Sequence, residues 1–257
     1  MVKMFSRNRS GGKRIDKKRR FLPLFHGSKS PIRPEDFDFN RSDAANDFNR
    51  AIYLSPKFDS VSKWSESQGF NNVSWYVFNQ EEANQDPDTD VRYFDDQIEW
   101  LDTIIEYYEG THTRNEDIII GDTMDGKTSA VIRKYERLAK ELGISMKDLE
   151  IAYKQDMIEE LKVGKLDQQV AIKTQKGLCH LIYIDSGEAN RMYHYRYMDP
   201  SEIAAQVSEM ISVRDSIPVN DAMILFMRSR TFHRLISEPD MSELSPGEVL
   251  AIYDEKG

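Results

Sequence analysis

The chain has 257 residues, enough to bury a full core either as one large domain or as a medium domain with a small appendage. Its 39% hydrophobic and 31% charged residues are those of an ordinary globular protein, and no apolar run approaches the roughly 18 residues that cross a bilayer, which excludes a membrane span. The net charge of -9 argues against a general nucleic-acid coat, and the single cysteine, Cys179, excludes an intramolecular disulfide and fits a reducing cytoplasm.

In chain order, residues 1–20 come first and read as a disordered basic tail: Lys3, Arg7, Arg9, Lys13, Arg14, Lys17, Lys18, Arg19 and Arg20 stand against the single acid Asp16. A tether to nucleic acid or to an acidic partner is the sharper reading of the same block. Phe21 to Phe25 is a short buried strand that delivers His26-Gly27-Ser28 at its end. A polar, proline-containing loop follows to about Asn40. Ala51 to Leu54 is a second short strand, closed by Ser55-Pro56, and from Lys57 to about Gln68 the residues Phe58, Val61, Trp64 and Ser65 recur at helical spacing. Val73 to Phe78, rich in β-branched and aromatic residues, is a third strand.

The acidic stretch from Glu81 to Asp90, carrying Pro87, reads as a solvated loop. Ile98, Leu101, Ile104, Ile105 and Tyr108 mark one face of a helix ending near Gly110, and Asp117 to Gly121 is a central strand that breaks at glycine. Lys127–Leu142 and Ser145–Lys162 are helical, the second opening at a serine cap. Val170 to Ile172, a brief helix through Lys176 and a last strand from His180 to Ile184 complete the main domain, 21–186. Beyond it, helices starting at Asp199-Pro200-Ser201, Val219 and Ser245-Pro246 form a small all-helical domain, 195–257, with Tyr193, Tyr195 and Tyr197 as the seam between the two.

His26-Gly27-Ser28 taken alone is weak, since a histidine at a strand end is more often structural than catalytic, and a tyrosine in a strand usually just packs. Order and spacing say more. A strand ending in His-Gly-Ser, then a strand carrying Tyr53, then a helix whose Trp64 falls eleven positions after that tyrosine, resembles ADP-ribosyltransferases of the diphtheria-toxin and poly(ADP-ribose) polymerase type. A broader resemblance runs over nearly all of residues 22–185, to a bacterial family of uncharacterised proteins placed in the ADP-ribosyltransferase clan. It rests on Leu24 to Ser28, Tyr53 to Ser55, Glu99 to Asp102, Ile119 to Gly121, and Gln169 to Ile172, five segments in the right order.

The resemblance implies an α+β fold with a split-sheet core and flanking helices, and NAD as substrate. By it His26 holds the adenosine ribose, Gly27 bonds the nicotinamide amide through its backbone with Ser28 beside it, and Ser60 or Ser62 reaches the same amide. Tyr53 and Trp64 form two flat walls for the nicotinamide ring, each aromatic pair adding roughly 0.5–1.5 kcal/mol beyond burial. Active relatives place a glutamate at the start of the late strand, where it faces the positive charge of the transition state. Gln169 occupies that place here, and Glu99 is the other candidate.

The implied activity is mono-ADP-ribosylation of a macromolecular acceptor, protein or nucleic acid, as a bacterial toxin, toxin–antitoxin or phage-defence effector with a cognate antitoxin or regulatory protein. Relatives carry two glycines before the tyrosine where this chain has Asn49 and Ala51, a loss of backbone freedom. That departure and Gln169 support a second reading, a binding module without turnover that recognises a partner protein; a third is plain NAD hydrolysis. No P-loop, no Gly-x-Gly-x-x-Gly and no Cys/His cluster at metal-ligand spacing occurs.

Overall fold

The computed structural model describes residues 15–41, 47–94, 96–123, 128–161, 167–188, 199–238, 241 and 243–256. Among the described residues seven strands form two sheets, and ten α-helices, the shortest being α6 (Gln175–Leu178), cover them. The first sheet has the order β1 (Phe21–Ser28), β3 (Asn72–Asn79), β7 (Leu181–Glu188), all antiparallel. The second has the order β2 (Ile52–Leu54), β6 (Gln168–Ile172), β5 (Ile118–Asp122), β4 (Val91–Tyr93), antiparallel except for the parallel β4–β5 pair. A bridge from Phe25 to Ser55 joins the two sheets; each residue donates its N–H to the other's carbonyl.

Side chains alternate across each strand, and the alternation assigns every face. Leu22, Leu24, Tyr76 and Phe78 meet Ile52, Leu54, Ile118, Ile120, Val170 and Ile172 in one buried cluster between the sheets. The opposite face of the first sheet, with Phe25, Val73, Trp75 and Val77, packs on α1 (Phe58–Ser67), α7 (Pro200–Asp215), α8 (Val219–Arg228), α9 (Arg230–Ser237) and α10 (Pro246–Lys256). The opposite face of the second, with Ile119 and Ala171, packs on α3 (Gln97–Glu109), α4 (Thr128–Leu142) and α5 (Met146–Leu161). The result is helices, sheet, sheet, helices. Side chains such as Trp75, Phe25 and Leu24 are fully enclosed, each contributing about 1.5–3 kcal/mol of burial.

The C-terminal helices expected over 195–257 thus share one hydrophobic cluster with the first sheet, and Trp75 meets Phe232 edge-on in the same layer, with ring centroids 5.4 Å apart. The tyrosine seam at 193, 195 and 197 lies outside the described residues, as do residues 1–14 of the basic tail. Residues 15–20 are docked and not a solvated tail. Ile15 is buried and donates its N–H to Gln168 Oε1 at 2.6 Å, Gln80 Nε2 donates to the Asp16 carbonyl, and Arg20 pairs with Glu81 at 3.0 Å.

Two further expectations are corrected. The stretch 81–90 is not all loop: Asn79 caps a helix, α2 (Gln80–Gln85), by accepting from Glu82 N, and Glu81 and Glu82 suit its first turn. The short strand β4 follows after the connection 86–90. In the C-terminal region Ser229 accepts from Phe232 N and opens α9, a helix the sequence reading passed over. Gly110 ends α3 with φ 70°, a left-handed cap that lets Thr111 N reach back to the Glu106 carbonyl. Among the described residues no helix is long and apolar enough to cross a membrane.

Candidate functional site

β1 is an edge strand, and the bridge to Ser55 fixes which of its backbone groups face outward. In an antiparallel ladder a residue's N–H and C=O point the same way, and the direction alternates from residue to residue. Phe25 spends both groups on Ser55, away from β3. Gly27, two residues on, therefore turns its N–H and C=O to that same outer side, where the two sheets diverge, and no described residue bonds them there.

Helix α1 closes this corner from above. A Cβ built on Gly27 would stand 1.8 Å from Ser65 Oγ and 3.2 Å from Cε3 of Trp64, so glycine is required here by the closeness of the helix. Phe58, Val61, Ser62 and Ser65 form the buried face of α1, which seats Ser65 on the strand. The Ser65 hydroxyl is fully buried and has no hydrogen-bond partner among the described residues. An unmet buried hydroxyl costs about 1–3 kcal/mol. Trp64 is 49% exposed although its ring lies edge-on to Phe70 at 5.6 Å.

His26 points the other way, into the gap between the sheets. Its Nδ1 lies 2.9 Å from the Tyr53 carbonyl and its ring meets Phe37 edge-on at 5.2 Å. A carbonyl can only accept, so Nδ1 carries the proton and Nε2 of the neutral ring is left as an acceptor. Burial lowers the imidazole's pKa, opposed by the bond to the Tyr53 carbonyl, and so favours the neutral form.

The other expected residues are distributed as follows. Tyr53 gives its carbonyl to His26, but its side chain faces the opposite cluster: the hydroxyl accepts from Phe48 N at 2.9 Å and donates to the Asn49 carbonyl at 2.8 Å, and burial raises its pKa. Tyr53 and Trp64 form no ring pair among the described residues, and the ring neighbour of Trp64 is Phe70. Ser28 donates to the Ser30 carbonyl at 2.7 Å. Ser60 is exposed and Ser62 is buried within α1's inner face. Gln169 is buried on β6 and donates Nε2 to Asp47 Oδ2 at 3.0 Å. Glu99 sits apart from His26, exposed on α3 and paired with Arg92 at 3.1 Å.

Arg92 leads to a second polar cluster, which the sequence reading missed. Glu116, just before β5, is 1% exposed and accepts from Arg92 Nη1 at 2.7 Å, Tyr107 Oη at 2.9 Å and His112 Nε2 at 2.9 Å. Burial alone pushes the carboxyl's pKa up, and these bonds more than offset it, holding it at about 2. Lys173 lies 3.9 Å over the Tyr107 ring and donates to the Phe48 carbonyl at 2.7 Å; burial lowers its pKa to about 8 against the pull of Glu116. A groove of about 670 Å³ between residues 15–22 and α7 contains none of the expected site residues.

Signals for some of this existed. Ser65 shares the inward spacing of Phe58 and Val61, which Ser60 does not. Nothing local links Asp47 to Gln169, 122 positions away. A family model described as protein of unknown function (DUF3990) matches residues 22–183. No curated protein and no solved structure matches the chain.

Proposed function

The chain belongs to the DUF3990 family, and from the corner around Gly27 we propose that it is an NAD-dependent mono-ADP-ribosyltransferase with an ADP-ribosyltransferase-like split-sheet fold. The observation that carries the reading is the outward N–H and C=O of Gly27, lying beside the unmet Ser65 hydroxyl and the half-exposed Trp64 ring. A primary carboxamide presents one acceptor and two donors on a flat aromatic ring. It complements a backbone donor–acceptor pair, a hydroxyl and an indole wall, and nicotinamide is such a group.

His26 supports the same ligand. Its neutral ring offers Nε2 as an acceptor for a ribose hydroxyl, while the Tyr53 carbonyl fixes the imidazole's orientation. Tyr53 thus serves as an anchor for His26 in this reading, with Trp64 and not Tyr53 as the wall beside Gly27. The acceptor is a macromolecule, protein or nucleic acid, and a toxin or phage-defence role with a cognate antitoxin or regulatory protein fits such chemistry. No metal takes part in it.

Incubating the purified chain with isotopically tagged NAD in lysate tests the proposal: nicotinamide release and a tag on protein, RNA or DNA are expected. Release without any tagged macromolecule turns the reading to NAD hydrolysis. The neutral Gln169 at the start of the late strand, with Asn49 and Ala51 where relatives have glycines, favours as a second reading a binding module without turnover; NAD binding or partner capture with no nicotinamide released is its signature.

A further inference from the structure

On the transferase reading above, the reaction calls for a carboxylate. When the bond between the anomeric carbon and nicotinamide breaks, the electron pair leaves with the pyridine nitrogen, and a positive charge spreads over that carbon and the ring oxygen. The acceptor then bonds to the carbon and gives up its proton. A carboxylate near the developing charge lowers the barrier. The Gln169 amide is neutral, and its Nε2 is already committed to Asp47 Oδ2 at 3.0 Å.

Asp47 is held from two sides. Thr128 Oγ1, at the first residue of α4, donates to its Oδ1 at 2.7 Å, while Gln169 on β6 donates to its Oδ2. Both donors are buried, Thr128 at 4% and Gln169 at 6% exposure, whereas Asp47 itself is only partly covered. A partly open carboxylate gripped by two buried groups 81 and 122 positions away is a positioned one. The position also suits the corner. Gln169 lies one residue beyond the Val170–Leu54 pair, abreast of Ser55, the residue that bridges to β1. It shares the sheet face of Ala171 and Tyr53, the face that packs on α3, α4 and α5.

We infer that Asp47 supplies the negative charge facing the reacting ribose, that Gln169 and Thr128 are its positioning residues, and that Glu99 has no part in the chemistry. The purified full chain with NAD alone tests this, reading affinity by calorimetry and nicotinamide release for kcat and KM. Asp47→Asn is expected to lower kcat by about 100-fold or more with KM and NAD affinity within about threefold, and Asp47→Glu to recover a good part of the loss. A merely structural role would move melting temperature and KM together.

If Asp47→Asn does not fold, Thr128→Val and Gln169→Leu, each removing one arm, stand in for it; a fall in kcat at steady KM supports the assignment, and unchanged kcat in both overturns it. Asp47→Asn turning over within about threefold of wild type overturns it directly. A wild-type chain that binds NAD and releases no nicotinamide removes the role of Asp47 but leaves the Gly27 corner standing, and one that binds no NAD ends both.

Discussion

Two polar regions of this molecule are made from similar residues and end in opposite conditions. Around Glu116 the carboxylate is fully engaged: Arg92, His112 and Tyr107 converge on it and Lys173 caps the Tyr107 ring, although the Nε of Arg92 is left without a partner among the described residues. Around Gly27 the groups are left open, with an outward backbone pair, an unmet buried hydroxyl and a half-exposed indole. Buried polar groups are almost always satisfied, and several here are not, Arg92 Nε among them; what sets the Gly27 corner apart is that its unmet hydroxyl lies beside an outward backbone donor and acceptor.

The comparison breaks most visibly at Glu116. Replacing it with alanine leaves the Tyr107 hydroxyl without its acceptor and Arg92 with Glu99 and Thr103 in place of a buried carboxylate, and should cost about 3–5 kcal/mol of stability by urea unfolding, with NAD affinity of the folded fraction unchanged. The same carboxylate is acid-sensitive: its folded pKa of about 2 is below the ordinary 4.5, so its contribution is complete above 4.5 and lost as pH falls through about 2. Gly27→Ala comes next. The added methyl meets Ser65 Oγ and should cost about 1–3 kcal/mol while abolishing NAD binding.

Trp64→Ala should weaken NAD about three- to tenfold in titration calorimetry, with stability changed by less than about 1 kcal/mol because the ring is half outside. Ser65→Ala sharpens the contrast by its sign. Removing an unmet buried hydroxyl should leave stability level or raise it by up to about 1 kcal/mol in thermal melts, yet loosen the carboxamide. The smallest effect is His26's. Its folded pKa is depressed below 6.5, so the stability it contributes is full above 6.5 and is lost as pH falls through the folded value; His26→Gln should flatten that part of the stability profile.

Much of the fold was readable where one local rule decides. Ser145 caps α5 through Asp148, Asp199 caps α7 ahead of Pro200, and Gly110 ends α3, each as the residue types imply. The reading failed where a distant neighbour decides. β4 is three residues long with Arg92 at its centre, and only pairing with β5 makes it a strand. At the site, His26 and Gly27 were legible as residues; the outward direction of Gly27's backbone depends on the Ser55 bridge, and the choice of Ser65 over Ser60 or Ser62 depends on how α1 is rolled onto β1. Asp47 became visible only through its two clamping donors.

Whether Gly27 receives a carboxamide can be read residue by residue from amide-resolved NMR of the isotopically labelled chain. Titration with nicotinamide and then NAD should move the Gly27 N–H resonance strongly downfield and slow its exchange with solvent, while the Tyr107 and Glu116 amides stay still. Saturating ligand that leaves Gly27 unmoved, or that shifts the Glu116 cluster in its place, contradicts the account.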